Sequence, residues 1–223
     1  MARIKICGLT DAGTAVAAAE AGADFIGLVF AESRRRVEKE KARLIAQTVK
    51  EKKKDIAIVG VFVNLPAEEV NYIAEYCGLD YVQISGDESW RYCLDIEYPI
   101  IKVVHITTET KVEQVINEIE TGNSIGLKHK PLCLLDTKIE NTYGGTGRRF
   151  DWGLAGEVAA RYPLMAAGGL DADNVSGLVK QVNPWGVDVS GGVESEGKKD
   201  MNKIIAFIKA VRQAEKEVQD ATG

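Results

Sequence analysis

Short apolar runs recur along the chain, and each is bounded by polar or glycine-containing sequence. Runs of this length with little internal alternation are typical of strands that are buried on both faces of a parallel sheet. The pattern predicts eight strands, at residues 4–7, 25–30, 56–63, 81–84, 100–104, 132–135, 164–167 and 187–189.

Segments with helical spacing lie between these runs. Their apolar residues recur at i, i+3, i+4 and i+7, which places them on one face of a helix. This spacing begins at Ala42, Val70, Val112 and Val175. A further helix carries Ile204, Ile208 and Val211 on one face and is predicted to fray after Glu215. The fourth helix, near residues 88–94, is expected to be short.

Two helix starts are marked by their residue types. Asp11 precedes an alanine-rich segment and is a good N-cap, while Pro66 suits a first helical turn that tolerates a missing N–H. Regular alternation of strand and helix predicts a parallel sheet with right-handed crossovers, and eight such units close into a (β/α)8 TIM barrel. A doubly wound open sheet is the alternative α/β architecture.

The length of the chain agrees with one such barrel. A (β/α)8 barrel commonly needs about 200 to 250 residues, and the chain has 223. Hydrophobic residues make up 45% of it and charged residues 27%, which is ordinary for a folded globular protein. No Pro-, Gly- or Ser-rich linker divides the sequence, so we predict a single domain over residues 1–223.

Charge and targeting features exclude several classes of partner. A formal net charge of −5 disfavours nonspecific nucleic-acid binding, although a small anionic substrate remains possible. Arg3 and Lys5 make the N-terminus too charged for a secretory signal, and no apolar run reaches about 18 residues, so we expect a cytoplasmic protein without membrane contact. The four cysteines lie far apart, which favours reduced thiols over a zinc site or a disulfide framework.

Two residues at predicted strand ends could carry proton transfer, because active sites of TIM barrels lie at the carboxyl ends of the strands. Cys7 ends the first strand and precedes Gly8; its alternative reading is a small buried apolar residue. Asp136 follows the sixth apolar run, where an apolar wall can raise a carboxyl pKa enough for general acid catalysis. Its alternative reading is a turn cap.

Candidate anion-binding groups also follow strands. Arg34, Arg35 and Arg36 come after the second strand, and the planar guanidinium suits carboxylate or phosphate; solvated basic residues are the alternative for two of the three. Glycine-containing loops follow strands seven and eight, the usual phosphate position of this fold. They contain Gly168 and Gly169, then Asp188, Ser190 and Gly191.

The longest connection runs over residues 137–150 and contains Gly144, Gly145 and Gly147, as a lid or binding loop often does. These glycines match neither nucleotide-binding pattern, since the G-K-[ST] ending and the G-x-G-x-x-G spacing are both absent. His105 and His129 lack a spacing that indicates metal, and we expect both in loops.

Several of these segments occur together in one known family. KICGLT from Lys5, GADFIGLVF from Gly22, SRRRV from Ser33, GVFVN from Gly60, LLDT from Leu134, YGGTGRRFDW from Tyr143, AGGLDADNV from Ala167 and GVDVSGGVE from Gly186 stand in the family's order. The chain thus resembles the phosphoribosylanthranilate isomerases of tryptophan biosynthesis, from the first strand to the last helix.

The resemblance implies an aldose–ketose isomerase. Such an enzyme converts N-(5'-phosphoribosyl)anthranilate into 1-(2-carboxyphenylamino)-1-deoxyribulose 5-phosphate by an Amadori rearrangement, with no metal or cofactor. It implies Cys7 as the general base that removes the C2' proton and Asp136 as the general acid at the ring oxygen. It further implies Arg35 at the anthranilate carboxylate and Asp188 near the substrate. The phosphate would be held by Gly168, Gly169, Ser190 and Gly191.

Two departures from the family pattern keep an alternative open. Ser85 stands where the family usually has histidine, and Gly191 where it usually has serine. The alternative is therefore a phosphosugar-binding barrel with an altered ligand or lost catalysis. A related isomerase of the histidine pathway has carboxylates at both proton-transfer positions, and Cys7 does not match that pattern. An aldolase would need a Schiff-base lysine, for which Lys102 is a weak candidate. Periodicity leaves monomer and homodimer equally open.

Overall fold

The computed structural model describes residues 1–137 and 152–222 of the chain. Eight parallel strands form a closed barrel in which each strand pairs with the next, and the last pairs with the first. The strands are β1 (Arg3–Cys7), β2 (Phe25–Val29), β3 (Ala57–Phe62), β4 (Tyr81–Ile84), β5 (Ile100–Ile106), β6 (Leu132–Thr137), β7 (Leu164–Ala166) and β8 (Gly186–Val189). The predicted barrel is confirmed, and closure between β8 and β1 excludes the open sheet.

The helices lie outside the barrel strands. In the described residues they are α1 (Ala12–Ala21), α2 (Lys39–Lys52), α3 (Ala67–Cys77), α4 (Val112–Ser124), α5 (Trp152–Ala159), α6 (Val175–Val182) and α7 (Met201–Thr222). The predicted cap is present, because the Asp11 carboxylate accepts a hydrogen bond of 2.8 Å from the Thr14 N–H. Pro66 immediately precedes α3. Within the described part of the chain, no helix combines the length and apolarity needed to cross a membrane.

The crossover between β4 and β5 contains a 3-10 turn, Tyr92–Asp95, in place of an α-helix. Trp90, Cys93 and Ile96 are buried there. Of these three residues, only Cys93 lies within the 3-10 turn; Trp90 and Ile96 flank it. A short turn therefore takes the place of the fourth helix, which the sequence predicted to be short.

The last helix is longer than predicted. α7 continues to Thr222, so the expected fraying after Glu215 is wrong. Glu215 is buried, accepts a hydrogen bond from the Ala2 N–H and pairs with Arg212 at 3.0 Å. These contacts tie the end of the helix to the beginning of the chain, which a pattern of apolar spacing does not reveal.

The core is divided by the barrel wall. The larger apolar cluster lies between strands and helices, while a second fills the barrel interior with Phe25, Val59, Ile101, Val103, Leu134, Met165 and Ala167. Side chains alternate between the two faces of a strand, and each face packs against one of these two clusters. Both faces of each strand are therefore buried, which explains the continuous apolar runs. A third small cluster joins Cys7 to Val29 and Val61 at the carboxyl end of the barrel.

An aspartate that binds a backbone N–H beside a helix-ending glycine occurs twice at the opposite end of the barrel. Gly22 ends α1 in the left-handed conformation, and the nearby Asp24 carboxylate accepts the Ile4 N–H at 2.8 Å. The same arrangement recurs after α3 with Gly78, Asp80 and Ile58. Each aspartate joins the start of the preceding strand to the turn that enters the next one.

Candidate active site

A cavity of about 980 Å³ opens at the carboxyl ends of the strands. All eight residues that the sequence nominated line it: Cys7, Arg35, Asp136, Gly168, Gly169, Asp188, Ser190 and Gly191. They come from six separate places in the barrel, at or just after β1, β2, β6, β7 and twice at β8. The closed barrel brings these groups together.

Cys7 ends β1 and is buried against the apolar side chains of Val29 and Val61. A Cβ atom at Gly27 on the neighbouring strand would lie 2.8 Å from the Cys7 sulfur, so the missing side chain there makes room for the thiol. Burial raises the pKa of the Cys7 thiol above its ordinary value, while the positive charges of Lys5 and Lys199 act in the opposite direction. The sulfur therefore lies between an apolar wall and two ammonium groups.

Lys5 is fully buried beneath this cysteine. Its Nζ atom lies 3.0 Å from the Asp188 Oδ1 atom, and the two residues are paired in register between β1 and β8. Burial acts to lower the pKa of Lys5, but the Asp188 carboxylate and the Cys7 sulfur outweigh it, and the pKa is raised. Lys5 is consequently an ammonium ion inside the barrel.

Asp136 lies in β6 and lines the cavity in a half-buried position. It is paired in register with His105, which lies within β5. The expectation that His105 is a loop residue is wrong, because β5 extends beyond the apolar run that predicted it. His129 does lie in a loop, between α4 and β6.

Arg35 is held by a carboxylate that the sequence reasoning did not nominate. The Glu194 Oε1 atom lies 2.6 Å from Arg35 Nε, and Glu194 Oε2 lies 3.1 Å from Arg35 Nη2. Gly8 has a φ of +78°, and a Cβ there would lie 2.5 Å from the Arg35 side chain. Glycine at this position therefore serves both the backbone conformation and the path of the arginine.

Glu194 and Lys199 meet in a small hairpin after β8, formed by β9 (Glu194–Ser195) and β10 (Lys198–Lys199). Lys199 Nζ lies 3.0 Å from Glu194 Oε1 and donates to the Ser190 carbonyl oxygen at 2.9 Å. Burial lowers the pKa of Lys199 despite the pairing with Glu194. For Glu194, burial acts to raise the pKa, but hydrogen bonds from Arg35 and Lys199 outweigh it and lower it.

The sequence pattern missed Lys199 because it lies nine residues beyond Ser190, past a turn. Glu194 was contained in the GVDVSGGVE segment but had no assigned role. The close spacing of a glutamate and a lysine around Gly197 was the available sign of a hairpin.

The other two arginines have different surroundings. Arg34 is exposed but lines the cavity and pairs with Glu194 at 2.6 Å. Arg36 is exposed and lies 3.6 Å from Glu38. Of the three, Arg35 is the most buried.

The loops after β7 and β8 contact each other. Gly168 and Gly169 have positive φ values of 93° and 65°. A Cβ atom at Gly192 would lie 1.9 Å from the Leu170 carbonyl oxygen, so the second loop packs directly on the first. The two glycine-containing loops form one side of the cavity.

A polar group faces this wall across the barrel. Gln83 on β4 is buried and lines the cavity; its Nε2 atom donates to the Ser85 hydroxyl at 3.0 Å. Within the described ranges, the Gln83 Oε1 atom has no hydrogen-bond partner. The His105 ring nitrogen Nε2 lies 2.9 Å from the Ser85 carbonyl oxygen, so an imidazole from β5 stands beside the position where the family's histidine is replaced.

Three further sequence expectations concern the long loop, the state of the cysteines and metal binding. The loop with Gly144, Gly145 and Gly147 lies outside the described residues. All four cysteines are buried and free. In residues 1–137 and 152–222, no three His, Cys, Asp or Glu side chains are arranged to hold a metal ion.

Comparison with known proteins gives a consistent result. The model of the N-(5'-phosphoribosyl)anthranilate (PRA) isomerase family matches residues 4–210. The N-(5'-phosphoribosyl)anthranilate isomerase of Dehalococcoides mccartyi is 49% identical over 215 residues, which cover 96% of this chain and 98% of the relative.

Solved structures agree in fold. The crystal structure of phosphoribosyl anthranilate isomerase from Thermotoga maritima is 38% identical, has a TM-score of 0.83, and covers 96% of this chain and 100% of that one. A phosphoribosyl anthranilate isomerase in complex with reduced 1-(o-carboxyphenylamino)-1-deoxyribulose 5-phosphate is 35% identical, with a TM-score of 0.80 and coverage of 96% and 100%. This chain therefore belongs to the N-(5'-phosphoribosyl)anthranilate isomerase family.

Proposed function

We propose that this chain is the isomerase of tryptophan biosynthesis that converts N-(5'-phosphoribosyl)anthranilate into 1-(2-carboxyphenylamino)-1-deoxyribulose 5-phosphate. The observation that carries the proposal is that a thiol, a carboxyl group, an arginine and two glycine-containing loops line one cavity, in a chain of this family. The reaction consists of proton transfers within one molecule, so side chains of these types are sufficient for it.

The first step is opening of the ribose ring. On our proposal Asp136 gives its proton to the ring oxygen as the bond between that oxygen and C1' breaks, and the anilino nitrogen forms a double bond to C1'. A carboxyl group at the edge of an apolar barrel interior is suited to this step, because burial favours its neutral form. The half-buried position of Asp136 allows contact with both the barrel wall and the substrate.

The second step is removal of the C2' proton, which we assign to the Cys7 thiolate. The electrons of the C2'–H bond form a C1'=C2' double bond, and the imine electrons return to nitrogen. The resulting enolamine becomes the ketone when C1' gains a proton and the C2' hydroxyl loses one. Cys7 ends β1 inside the cavity, where the C2' atom of a bound substrate would be accessible to its sulfur.

The anionic groups of the substrate are assigned to different groups of the cavity lining. We assign the anthranilate carboxylate to Arg35, whose guanidinium is aimed by Glu194. We assign the phosphate to backbone N–H groups of the loops with Gly168, Gly169, Ser190 and Gly191, and place Asp188 near the reacting centre. Lys199 adds a positive charge beside the second loop. Together these groups would orient C1' and C2' between Asp136 and Cys7.

The competing function is a binding barrel that has lost catalysis, suggested by Ser85 in place of histidine. The structure offers a reason to favour the enzyme, since the His105 imidazole lies against Ser85 and keeps that region polar. Both groups assigned to proton transfer are also retained, which pure binding would not require.

A fluorescence assay tests the proposal directly. Phosphoribosylanthranilate is generated chemically from anthranilate and ribose 5-phosphate, and its fluorescence decay is followed with purified protein and EDTA present. We expect rapid decay that depends on enzyme concentration and persists in EDTA. Decay no faster than the spontaneous background, with a protein shown to be folded by circular dichroism, would overturn the proposed function in favour of the altered-ligand barrel.

Cys7→Ser is the matched variant for this assay, since it changes only the sulfur atom. We expect kcat to fall by about 10² to 10⁴-fold with unchanged folding, because proton-transfer groups typically contribute that much. The control is Cys77→Ser, since Cys77 is buried in α3 and outside the cavity, and there we expect wild-type turnover if the protein folds. Wild-type turnover in Cys7→Ser would remove the base assignment.

Localisation and assembly belong to the same proposal. We place the reaction in the cytoplasm, as its role in amino-acid biosynthesis suggests. A monomer and a homodimer are both compatible with the cavity, because all the proposed groups come from one chain. Light scattering after gel filtration would distinguish the two states.

A further inference from the structure

Lys5 is a buried charge that the proposed proton transfers do not use. It is 0% exposed, whereas Cys7 and Asp188 both line the cavity. Lys5 and Cys7 are two residues apart on β1, so their side chains point to the same side of the strand, into the barrel. The ammonium group therefore lies inside the barrel, beneath the sulfur and out of reach of a substrate.

Stability alone does not explain a lysine at this position. Burying an ammonium ion costs several kcal/mol, and replacing a buried ion pair by apolar residues of similar volume is often neutral or stabilising. The interior layer around Lys5 is otherwise apolar, with Phe25 paired to it in register on β2. The charge is thus retained where an apolar side chain would suit the barrel.

The charges around Cys7 have opposite effects on its ionisation. Lys5 acts on the sulfur as a neighbouring positive charge, and Lys199 adds a second positive charge from the hairpin after β8. The Asp188 carboxylate opposes the thiolate. Arg35, Asp136 and His105 line the same cavity. Among the charges that favour the thiolate, that of Lys5 is the strongest.

We propose that Lys5 is a positioning residue that favours the thiolate form of Cys7 from beneath the cavity and opposes the effect of burial on the sulfur, while Asp188 keeps the Lys5 ammonium charged and oriented. The role rests on the proposed function in one respect, that the thiolate is the catalytic base. The ionisation of Cys7 is measurable without any turnover, so the two ideas are separable.

The direct test is the pH dependence of Cys7 alkylation by iodoacetamide in the whole protein. Peptide mass spectrometry reports Cys7 separately from the other three cysteines. In Lys5→Met we expect the apparent pKa of the thiol to rise by about one unit or more, because a neighbouring opposite charge typically shifts a pKa by about 1–3 units. At a fixed pH below that pKa, alkylation would slow by about tenfold.

Lys102→Met is the matched control. Lys102 is also a buried lysine of the barrel, but it lies on β5 and acts on Cys93 and Cys133. We expect the alkylation profile of Cys7 to stay that of the wild type in this variant. A shift of equal size in both lysine variants would show a general effect of disturbing the barrel and would overturn the proposal.

A double variant covers the case in which Lys5→Met does not fold. Lys5→Met/Asp188→Asn removes the buried ion pair together and leaves no buried carboxylate unpaired. We expect a higher thiol pKa in the double variant than in the wild type, because the Lys5 charge acts on Cys7 more strongly than that of Asp188. A thiol pKa equal to or below that of the wild type would overturn the role of Lys5.

The pH profile of kcat/KM provides a readout that a purely structural role would not move. In Lys5→Met we expect its rising limb to shift to higher pH by the same amount as the alkylation profile, with the plateau recovered at high pH. A uniformly lower profile without a shift would contradict the proposal. If the wild type shows no isomerase activity, the proposed function fails, and the alkylation profiles still decide the role of Lys5.

Discussion

On the proposed mechanism Asp136 donates a proton, so its carboxyl group acts in the neutral form. Asp136→Asn keeps the size and shape of the side chain but removes the transferable proton. We expect kcat to fall by about 10² to 10⁴-fold with a much smaller change in KM. Steady-state fluorescence kinetics measures both constants. The control is Asp173→Asn, which is exposed and outside the cavity; equal kinetics of the two variants would remove Asp136 from the mechanism.

Arg35 is expected to act in binding. Arg35→Ala should raise KM by about tenfold or more, because a hydrogen bond to a charged group contributes about 1.5–3 kcal/mol. Arg36→Ala is the matched control, since Arg36 is exposed and does not line the cavity. If KM rises in the Arg36 variant and is unchanged in the Arg35 variant, the assignment of the carboxylate is off by one residue. Lysine at position 35 should not restore KM fully, because it lacks the planar fork that Glu194 aims.

At the scale of one element, α1 is the helix that follows β1, the strand that ends in Cys7. Its N-cap, Asp11, accepts the Thr14 N–H at 2.8 Å. Asp11→Ala should lower the free energy of unfolding by about 1 kcal/mol, because the first turn loses that acceptor. Urea denaturation measures the change, and kcat should stay that of the wild type. Asp11→Asn retains an acceptor and should recover most of the stability; equal losses in both variants would mean that the charge and not the cap matters.

The element between β4 and β5 shows how local pattern and packing interact. Its short 3-10 turn buries Cys93, and the flanking residues Trp90 and Ile96 are buried as well. The sequence predicted a short helix in this crossover, and the structure has a single 3-10 turn there. Three buried side chains hold the connection against the barrel without an α-helix.

At the scale of the whole molecule, the two ends of the barrel have different tasks. The cavity lies at the carboxyl end of the strands. Asp24 lies at the opposite end, where it binds the start of β1. Its carboxylate accepts the Ile4 N–H at 2.8 Å and pairs with Arg3 at 2.8 Å and with Arg212 at 3.2 Å. β1 and α7 are therefore joined at the end of the barrel opposite the cavity.

Asp24→Ala should consequently separate stability from activity. We expect a loss of about 2 kcal/mol in the free energy of unfolding, because the Ile4 N–H loses a charged acceptor, with kcat and KM unchanged. Asp55→Ala is the control at the same end of the barrel, where the side chain is exposed, and should change stability by less than about 0.5 kcal/mol. A change in KM in the Asp24 variant at temperatures where it is folded would show that the two ends are coupled.

The barrel was predictable because local pattern is repeated eight times. Both faces of each strand are buried, so the strands are continuous apolar runs, and their ends were predicted within two residues. Cys7, Asp136 and the glycine loops were predictable as candidates because this fold places its site after the strands. Their roles came from the family resemblance, since a buried cysteine or a turn aspartate looks the same in a sequence.

The tertiary structure decided which charges meet. Glu194 and Lys199 contact Arg35 and Ser190 through a hairpin that no apolar pattern marks. Lys5 meets Asp188 only because β8 returns to β1, more than 180 residues later in the chain. Sequence by itself determined the elements, their order and the candidate chemistry, because these depend on spacing along the chain. The electrostatic surroundings of the thiol depend on distances in space, which barrel closure and the hairpin after β8 determine.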